Sequence, residues 1–435
     1  MRSSRFRASY QSPVAVPGAS HVPALDGLRG MAVAGVLLFH TGNVPGGFLG
    51  VDLFFVLSGF LITGLLLREA GTTGRIALTS FWGRRLRRLF PALALVLVVV
   101  AVTAWALQRL GHPVADRGLV STTLTDGLWV QLNLVNWHLL AQNASYWDAF
   151  GQSRLFEHLW SIAVEEQFYL VWPFIIAALA WAATRLRRRA GSLDVAALTV
   201  AIAVSAVSLI LMIAMIDPAD PTRVYTGTDT RAFSLLLGAA AATAPARRAF
   251  QHVVRWHRRV AVWTIGILAT MILASWVFAD GTATPGLFRG GLFAHAFACA
   301  VLIGLCAAVT AVHSHDAPES APPPFPVRVL QSGPLTWLGA ISYSLYLWHW
   351  PVIVLLSAHM HPALPHWLHS AIVIGVSITL AVASKRLVED PIRFRATWAR
   401  NRTGLVVFLV VSAALLTMWL ILPAPAAPPI DIGEL

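Results

Sequence analysis

The sequence predicts an all-α, polytopic membrane protein with about eleven transmembrane helices and a cytoplasmic N-terminus. Three observations carry that expectation. Hydrophobic residues make up 57% of the 435 and charged residues only 12%, with a mean hydropathy of +0.68. Apolar runs long enough to cross a bilayer recur along the whole chain. Arginine concentrates in the short segments between those runs, as it does in cytoplasmic loops. That placement accounts for the net charge of +12 through membrane topology rather than nucleic acid. It leaves room for an anionic cytoplasmic ligand.

The first 25 residues read as a basic cytoplasmic tail, because they lack the apolar core and cleavage site of a signal peptide. The expected spans are 28–44, 51–67, 90–108, 159–183, 194–216, 230–246, 260–279, 288–312, 336–358, 366–385 and 403–422. With the N-terminus inside, the basic stretches at 68–88, 185–189, 247–259 and 385–402 all fall on the cytoplasmic side. The Arg-poor segments 217–229 and 280–287 then fall outside. Residues 113–140 break this regularity, since Asp126, Gln131, Asn133, Asn136 and His138 interrupt their apolar pattern. One more crossing there would move the RLRRR stretch outside, so an outer-face amphipathic or re-entrant segment is expected. Residues 313–334 form a Pro-rich cytoplasmic linker. The domain division is then a core at 26–400, an additional helix at 401–422 and a Pro/Ala-rich extracytoplasmic tail at 423–435. Cys299 and Cys306 are seven residues apart in one apolar run, about 10 Å along a helix, too far for a disulfide.

The first two spans, DGLRGMAVAGVLLFHTGNVPGGFLGVDLFFVLSGFLIT at 26–63, organise the functional reading. Arg29 and His40 lie eleven residues apart in the first run, hence about 16 Å apart along a helix and on nearly one face. Ionisable groups inside membrane helices face a bundle interior or a wet cavity and point to function. The bland alternatives are an Arg29 that snorkels to the interface and a His40 that bonds locally. Glu165 and Glu166 sit in HLWSIAVEEQFYLVWP, where adjacent positions on a helix cannot face one point, and Pro173 closes that motif with a kink expected there. His349 in SLYLWHWPV is a second imidazole among Tyr346, Trp348 and Trp350, with an interfacial aromatic belt as its alternative. Asp26 reads equally as an N-cap, and the run Arg84, Arg85, Arg87, Arg88 as inside-positive anchoring. Ser58 in LSGF lacks the G-x-S-x-G context of a nucleophile elbow and reads as a close-packing residue beside Gly59. His313 and His315 belong to the linker, and no metal site is expected.

DGLRG, the histidine eleven residues after its arginine, GGFLGVDLFFVLSGFLIT, FWGRRLRRLFPA at 81–92, HLWSIAVEEQFYLVWP at 158–173 and SYSLYLWHWPVI at 342–353 together resemble the membrane-bound acyltransferase family three. The resemblance runs in order along most of the chain. It implies a bacterial cytoplasmic-membrane O-acyltransferase that takes an acyl group, acetyl above all, from cytoplasmic acyl-coenzyme A to a hydroxyl of an envelope carbohydrate. It assigns the catalytic role to His40, as base or as acyl carrier, with Arg29, Asp26, Glu165 and Glu166 around it. The donor's phosphates would fall to Arg84, Arg85 and Arg88, whose forks suit bidentate binding, with Arg87 an extra anchor. His349, Tyr346, Ser58 and Trp160 become the substrate-contacting candidates. Relatives of this type often carry an extracytoplasmic SGNH-hydrolase-like domain; here the sequence stops before one, and the expectation is a domain that is absent, supplied by a separate partner, or fused and missing from this stretch. The competing classes are a transporter of an anionic or sugar-like solute and a structural membrane protein; the absence of a recognisable internal repeat weighs against a transporter built of inverted halves.

Overall fold

The computed structural model describes residues 21–112, 115, 117–147, 154–186, 191–316, 322–357, 360, 364–400 and 402–422. The expected N-terminal tail up to residue 20, the arginines at 187–189, linker residues 317–321 and the tail from 423 lie outside the described residues. Every regular element among the described residues is helical. The chain runs through α1 (Pro23–His40), α2 (Gly50–Thr73) and α3 (Leu78–Arg109), then the short α4 (Arg117–Gln131) and α5 (Val135–Ala141). Next come α6 (Trp160–Arg185), α7 (Ser192–Ala214), α8 (Thr222–Thr226), α9 (Thr228–Ala241), α10 (Ala244–Trp256), α11 (Arg258–Phe278) and α12 (Gly291–Asp316). It ends with α13 (Phe325–Leu330), α14 (Gly333–Ser357), α15 (His366–Ser384) and α16 (Arg402–Ile421).

Nine described helices are long and apolar enough to cross a membrane: α2, α3, α6, α7, α11, α12, α14, α15 and α16. The other two expected spans meet interior helices. The first falls on α1, which carries Asp26 and Arg29 and is buried along most of its length. The second of these, expected at 230–246, is shorter than expected. Its helix, α9, ends at Ala241 after 14 residues, about 21 Å. Thr243 leaves helical geometry and Pro245 opens α10. The Ala244 amide freed by that break donates to Asp194 Oδ1 at 2.6 Å.

Glycine sets the tightest contacts. A Cβ on Gly30 of α1 would stand 2.0 Å from the Leu335 carbonyl oxygen of α14. On α2, a Cβ at Gly59 would stand 1.7 Å from the Leu235 oxygen of α9, and one at Gly238 would stand 2.0 Å from the Val56 oxygen. Only glycine permits such backbone approach, so α1–α14 and α2–α9 form the rigid centre of the bundle. Around it, α7, α11 and α16 present large apolar side chains outward, including Trp263 and Leu420, as lipid-facing helices do.

In the stretch that breaks the apolar regularity, residues 117–141 form a helical hairpin that lies among the spans without adding one. Gln131, at the end of α4, donates to the Ser412 carbonyl midway along α16 (2.8 Å). Nearer the end of α16, the Trp419 indole N–H donates to Gln131 Oε1 (2.8 Å). The chain then turns at Asn133, whose φ is +56°, and α5 returns with His138 back beside Asp126 (3.3 Å). The expected linker at 313–334 is partly helical, since α12 continues to Asp316 and α13 occupies Phe325–Leu330.

Candidate active site

Two polar clusters lie at opposite ends of α1. At its C-terminal end, His40 meets His349, which α14 brings alongside. The Nε2 of His349 and the Nδ1 of His40 are 3.0 Å apart, and the Nδ1 of His349 lies 2.7 Å from the Tyr346 carbonyl oxygen. A carbonyl only accepts, so His349 carries its proton on Nδ1. Its Nε2 is then the acceptor for the Nδ1–H of His40. His40 Nε2 is left with its lone pair and lies 3.4 Å from the Tyr146 hydroxyl. A chain of fixed hydrogen bonds therefore selects the tautomer that aims a basic nitrogen outward. Tyr346 is itself held: its hydroxyl donates to the His158 carbonyl (2.8 Å) and takes the Ser161 hydroxyl proton (2.6 Å).

His40 opens onto a cavity of about 440 Å³ whose walls include Phe39, Tyr146, Trp147 and Trp350, with Glu157, His158 and Asp280 also facing it. The Trp350 ring centroid is 4.8 Å from that of His40, and its indole N–H donates to the Arg154 carbonyl (2.8 Å). Asp280 caps its own turn: the amides of Ala283 and Thr282 donate to Oδ1 at 2.8 Å each. Those amides, and then the Thr282 hydroxyl, hold the Asp280 carboxyl below its usual range. The charge pattern of the sequence leads to the expectation that this end of the bundle faces outward.

The other cluster gathers near the N-terminal end of α1. Arg88 has Arg29, Arg85 and Arg393 as charged neighbours, and Glu166 faces Arg85 and Arg88. The Arg85 guanidinium lies 3.6 Å above the Tyr169 ring. Glu165 accepts from the hydroxyls of Ser58 and Tyr169. The two adjacent carboxylates thus diverge, as helix geometry demands, yet both serve this cluster.

Several sequence readings change here. Asp26 is not the N-cap: α1 begins three residues earlier with Pro23 at N1, where its missing N–H costs nothing. Asp26 instead pairs with Arg29 (3.3 Å) and His21 (2.6 Å). Ser58 does more than pack, since it donates to Glu165. Arg84 separates from Arg85 and Arg88: it is half-exposed and pairs with Glu69 at 3.6 Å, while Arg87 reaches the Ala399 carbonyl (3.3 Å). Trp160 is fully buried among Phe55, Tyr146 and Tyr225. His349 and Tyr346 stand behind His40 rather than on the cavity surface. Both cysteines are free and buried.

Sequence reasoning missed Tyr146, Glu157, His158 and Asp280. His158 and Trp350 stood inside quoted motifs beside the residues singled out, so proximity was their signal. Tyr146 and Asp280 sit in loops and are ordinary in composition; only folding brings them to His40.

Comparison with known proteins gives a consistent picture. The sequence model of a family described as "Acyltransferase domain" matches residues 22–386. A putative peptidoglycan O-acetyltransferase, YrhL, of Bacillus subtilis is 35% identical over 377 residues, covering 86% of this chain and 55% of that protein. The peptidoglycan O-acetyltransferase OatA of Listeria monocytogenes is 35% identical over 380 residues, covering 86% of this chain and 56% of its own. The O-acetyltransferase OatA of Staphylococcus aureus is 35% identical over 378 residues, covering 86% and 57%. The chain therefore spans about half the length of the curated relatives it matches. No solved structure gives a significant match.

Proposed function

We infer that this chain, which belongs to the acyltransferase domain family across residues 22–386, is a bacterial inner-membrane O-acyltransferase that moves an acetyl group to a hydroxyl of an envelope glycan. The names of its relatives, one a peptidoglycan O-acetyltransferase and another a putative one, support a cell-wall glycan as the acceptor. The single observation that carries the reading is the oriented pair of imidazoles, with His40 Nε2 unprotonated at a cavity.

A hydroxyl is a weak nucleophile at neutral pH and needs a base at the moment of attack. In the proposed step, His40 Nε2 takes the acceptor's hydroxyl proton as its oxygen attacks the acyl carbonyl. The carbon–sulfur bond of the thioester breaks, and the departing thiolate receives the proton from His40. His349 stabilises the transient imidazolium, because its Nε2 already accepts from the opposite nitrogen. The donor is acyl-coenzyme A bound from the cytoplasmic side. Arg85 and Arg88 would hold its phosphates, with Glu165, Glu166 and Tyr169 fixing the guanidinium groups. The eleven residues between Arg29 and His40 separate the two clusters by about 16 Å along α1, a gap that an extended pantetheine arm bridges.

The test uses the purified chain in proteoliposomes with labelled acetyl-coenzyme A, following thiol release and label transfer to glycan fragments. His40→Ala abolishes thiol release while donor binding persists, and Arg85→Ala/Arg88→Ala loses donor binding. A wild-type protein that neither binds nor turns over acetyl-coenzyme A refutes the donor assignment.

A further inference from the structure

The proposed function leaves the nature of the acceptor open, and the cavity in front of His40 carries information about it. Two carboxyl groups face the cavity from different elements. Glu157 comes from the turn that opens α6, and Asp280 from the loop after α11. No lysine or arginine lines the cavity among the described residues. Its walls are aromatic. Trp350 stands beside His40 with its indole edge tied to the Arg154 carbonyl, so its face cannot swing away. Asp280 uses Oδ1 for its own turn, which leaves the other oxygen to accept from a ligand.

One further group points to a ligand. The His158 ring is 1% exposed and borders the cavity. The Leu347 and Tyr346 carbonyls lie near it, yet neither ring nitrogen meets hydrogen-bond geometry with any described residue. A buried imidazole without a sound partner is costly unless something else supplies one. Carboxylates that accept hydroxyl protons, a fixed aromatic face for the apolar side of a ring and a spare imidazole form the recognition set of a sugar.

Resting on the acyltransferase reading above, we propose that this cavity is an acceptor subsite for a carboxylate-free sugar ring, neutral or amino-bearing. The ring stacks on Trp350, its hydroxyls donate to Glu157 and Asp280, and the hydroxyl to be acylated meets His40 Nε2. His158 bonds a ring substituent. An acceptor bearing its own carboxylate meets the like charge of Asp280 at the rim, with no lysine or arginine lining the cavity among the described residues, so exclusion is electrostatic rather than steric.

The experiment uses the full chain in detergent, where both faces are accessible, with acetyl-coenzyme A and three soluble probes. These are methyl N-acetylglucosaminide (neutral), methyl glucosaminide (cationic) and methyl glucuronide (anionic). Transfer to the first two exceeds transfer to the third by about tenfold or more, as expected for one unscreened like-charge contact. The Glu157→Gln/Asp280→Asn double variant narrows that gap about tenfold. In parallel, Trp350→Ala raises the acceptor KM about tenfold, whereas Trp350→Phe, which keeps a ring face, restores most of it. Equal or preferred use of the glucuronide by the wild type overturns the proposal. So does an unchanged gap in a double variant that stays folded, with a thermal midpoint only slightly below that of the wild type. Thiol release to water with transfer to none of the probes sinks the sugar subsite alone. No thiol release from acetyl-coenzyme A sinks the acyl-coenzyme A reading on which it rests.

Discussion

Replacing His349 with phenylalanine tests the tautomer argument at its weakest point. Phenylalanine fills nearly the same volume, so the packing against His158 and Tyr346 survives. What disappears is the acceptor 3.0 Å from His40 Nδ1. A buried N–H left unsatisfied costs about 1–3 kcal/mol. His40 escapes that cost by moving its proton to Nε2, beside the Tyr146 oxygen. The lone pair then points at the protein interior, and the nitrogen facing the cavity can no longer take a proton. A tautomer preference of about 2–3 kcal/mol leaves the productive form at roughly one part in 30 to 150, and kcat falls by that factor. The KM for the donor stays within about twofold, because the change touches no group at the arginine cluster. His349→Gln, whose amide oxygen can accept from His40, recovers part of the loss. The assay is steady-state thiol release in proteoliposomes, with the thermal midpoint recorded for each variant. A folded His349→Phe enzyme with kcat within about threefold of wild type, alongside an inactive His40→Ala, would falsify the tautomer mechanism.

Three further outcomes follow from the same structure. Gly59→Val drives a branched side chain into the Leu235 carbonyl and costs about 3 kcal/mol or more. Gly64→Ala on the same helix has its nearest neighbour at 3.9 Å and is neutral or stabilising by up to about 1 kcal/mol; thermal melts in detergent separate the two. Arg231→Met strands the fully buried Asp52, now 2.6 Å from the guanidinium, and destabilises by about 3–5 kcal/mol. Adding Asp52→Asn recovers part of that loss, and a double-mutant melt that shows no recovery rejects the pairing. Asp280 has a depressed folded pKa, set by the Ala283 and Thr282 amides. Its stabilisation is present above the usual value of 3.8 and fades as the pH falls through the lower folded value. Asp280→Asn therefore lowers the midpoint at neutral pH, and the difference from wild type shrinks on acidification. The group is exposed and screened, so the shift is small; a difference that grows with acid contradicts the capping role.

How much of this was legible in the sequence depends on how local the determining physics is. Inside a bilayer, backbone groups must be satisfied within the segment, so long apolar runs could only be helices, and their order followed. The span at 230–246 ended earlier than expected because hydropathy averages over Thr243 and Pro245, while the helix is broken at those two residues. In the arginine run, Arg84 stands only about 40° around a helix from Arg88. Periodicity could not separate them; the separation comes from Glu69 at the end of α2, which holds Arg84 near the surface. His40 and Arg29 were readable because an ionisable group in an apolar run is costly wherever the run packs. Tyr146 and Asp280 carry no such cost in a loop and left no trace.

The same distinction explains why His349 changed role. As a lone imidazole in an aromatic stretch it looked like a wall of the cavity. The sequence could not show that the Tyr346 carbonyl, three residues back on α14, fixes its proton. That bond is local to one helical turn, but its consequence is not. It reaches His40 only because Gly30 and Gly339 let α1 and α14 approach to backbone contact. The tautomer of the base is therefore set by helix packing some fifteen ångströms away, about ten residues of rise along α1. A bulky substitution at Gly30 should accordingly lower kcat through a lengthened His40–His349 bond even where the protein still folds. Gly30→Ala, forced 2.0 Å from the Leu335 oxygen, is the direct case. Because Arg29 of the arginine cluster is the adjacent residue, its signature is a loss of kcat accompanied by weaker donor binding, which separates it from His349→Phe. A Gly30→Ala enzyme that folds and keeps full kcat would mean that His40 finds its tautomer without α14.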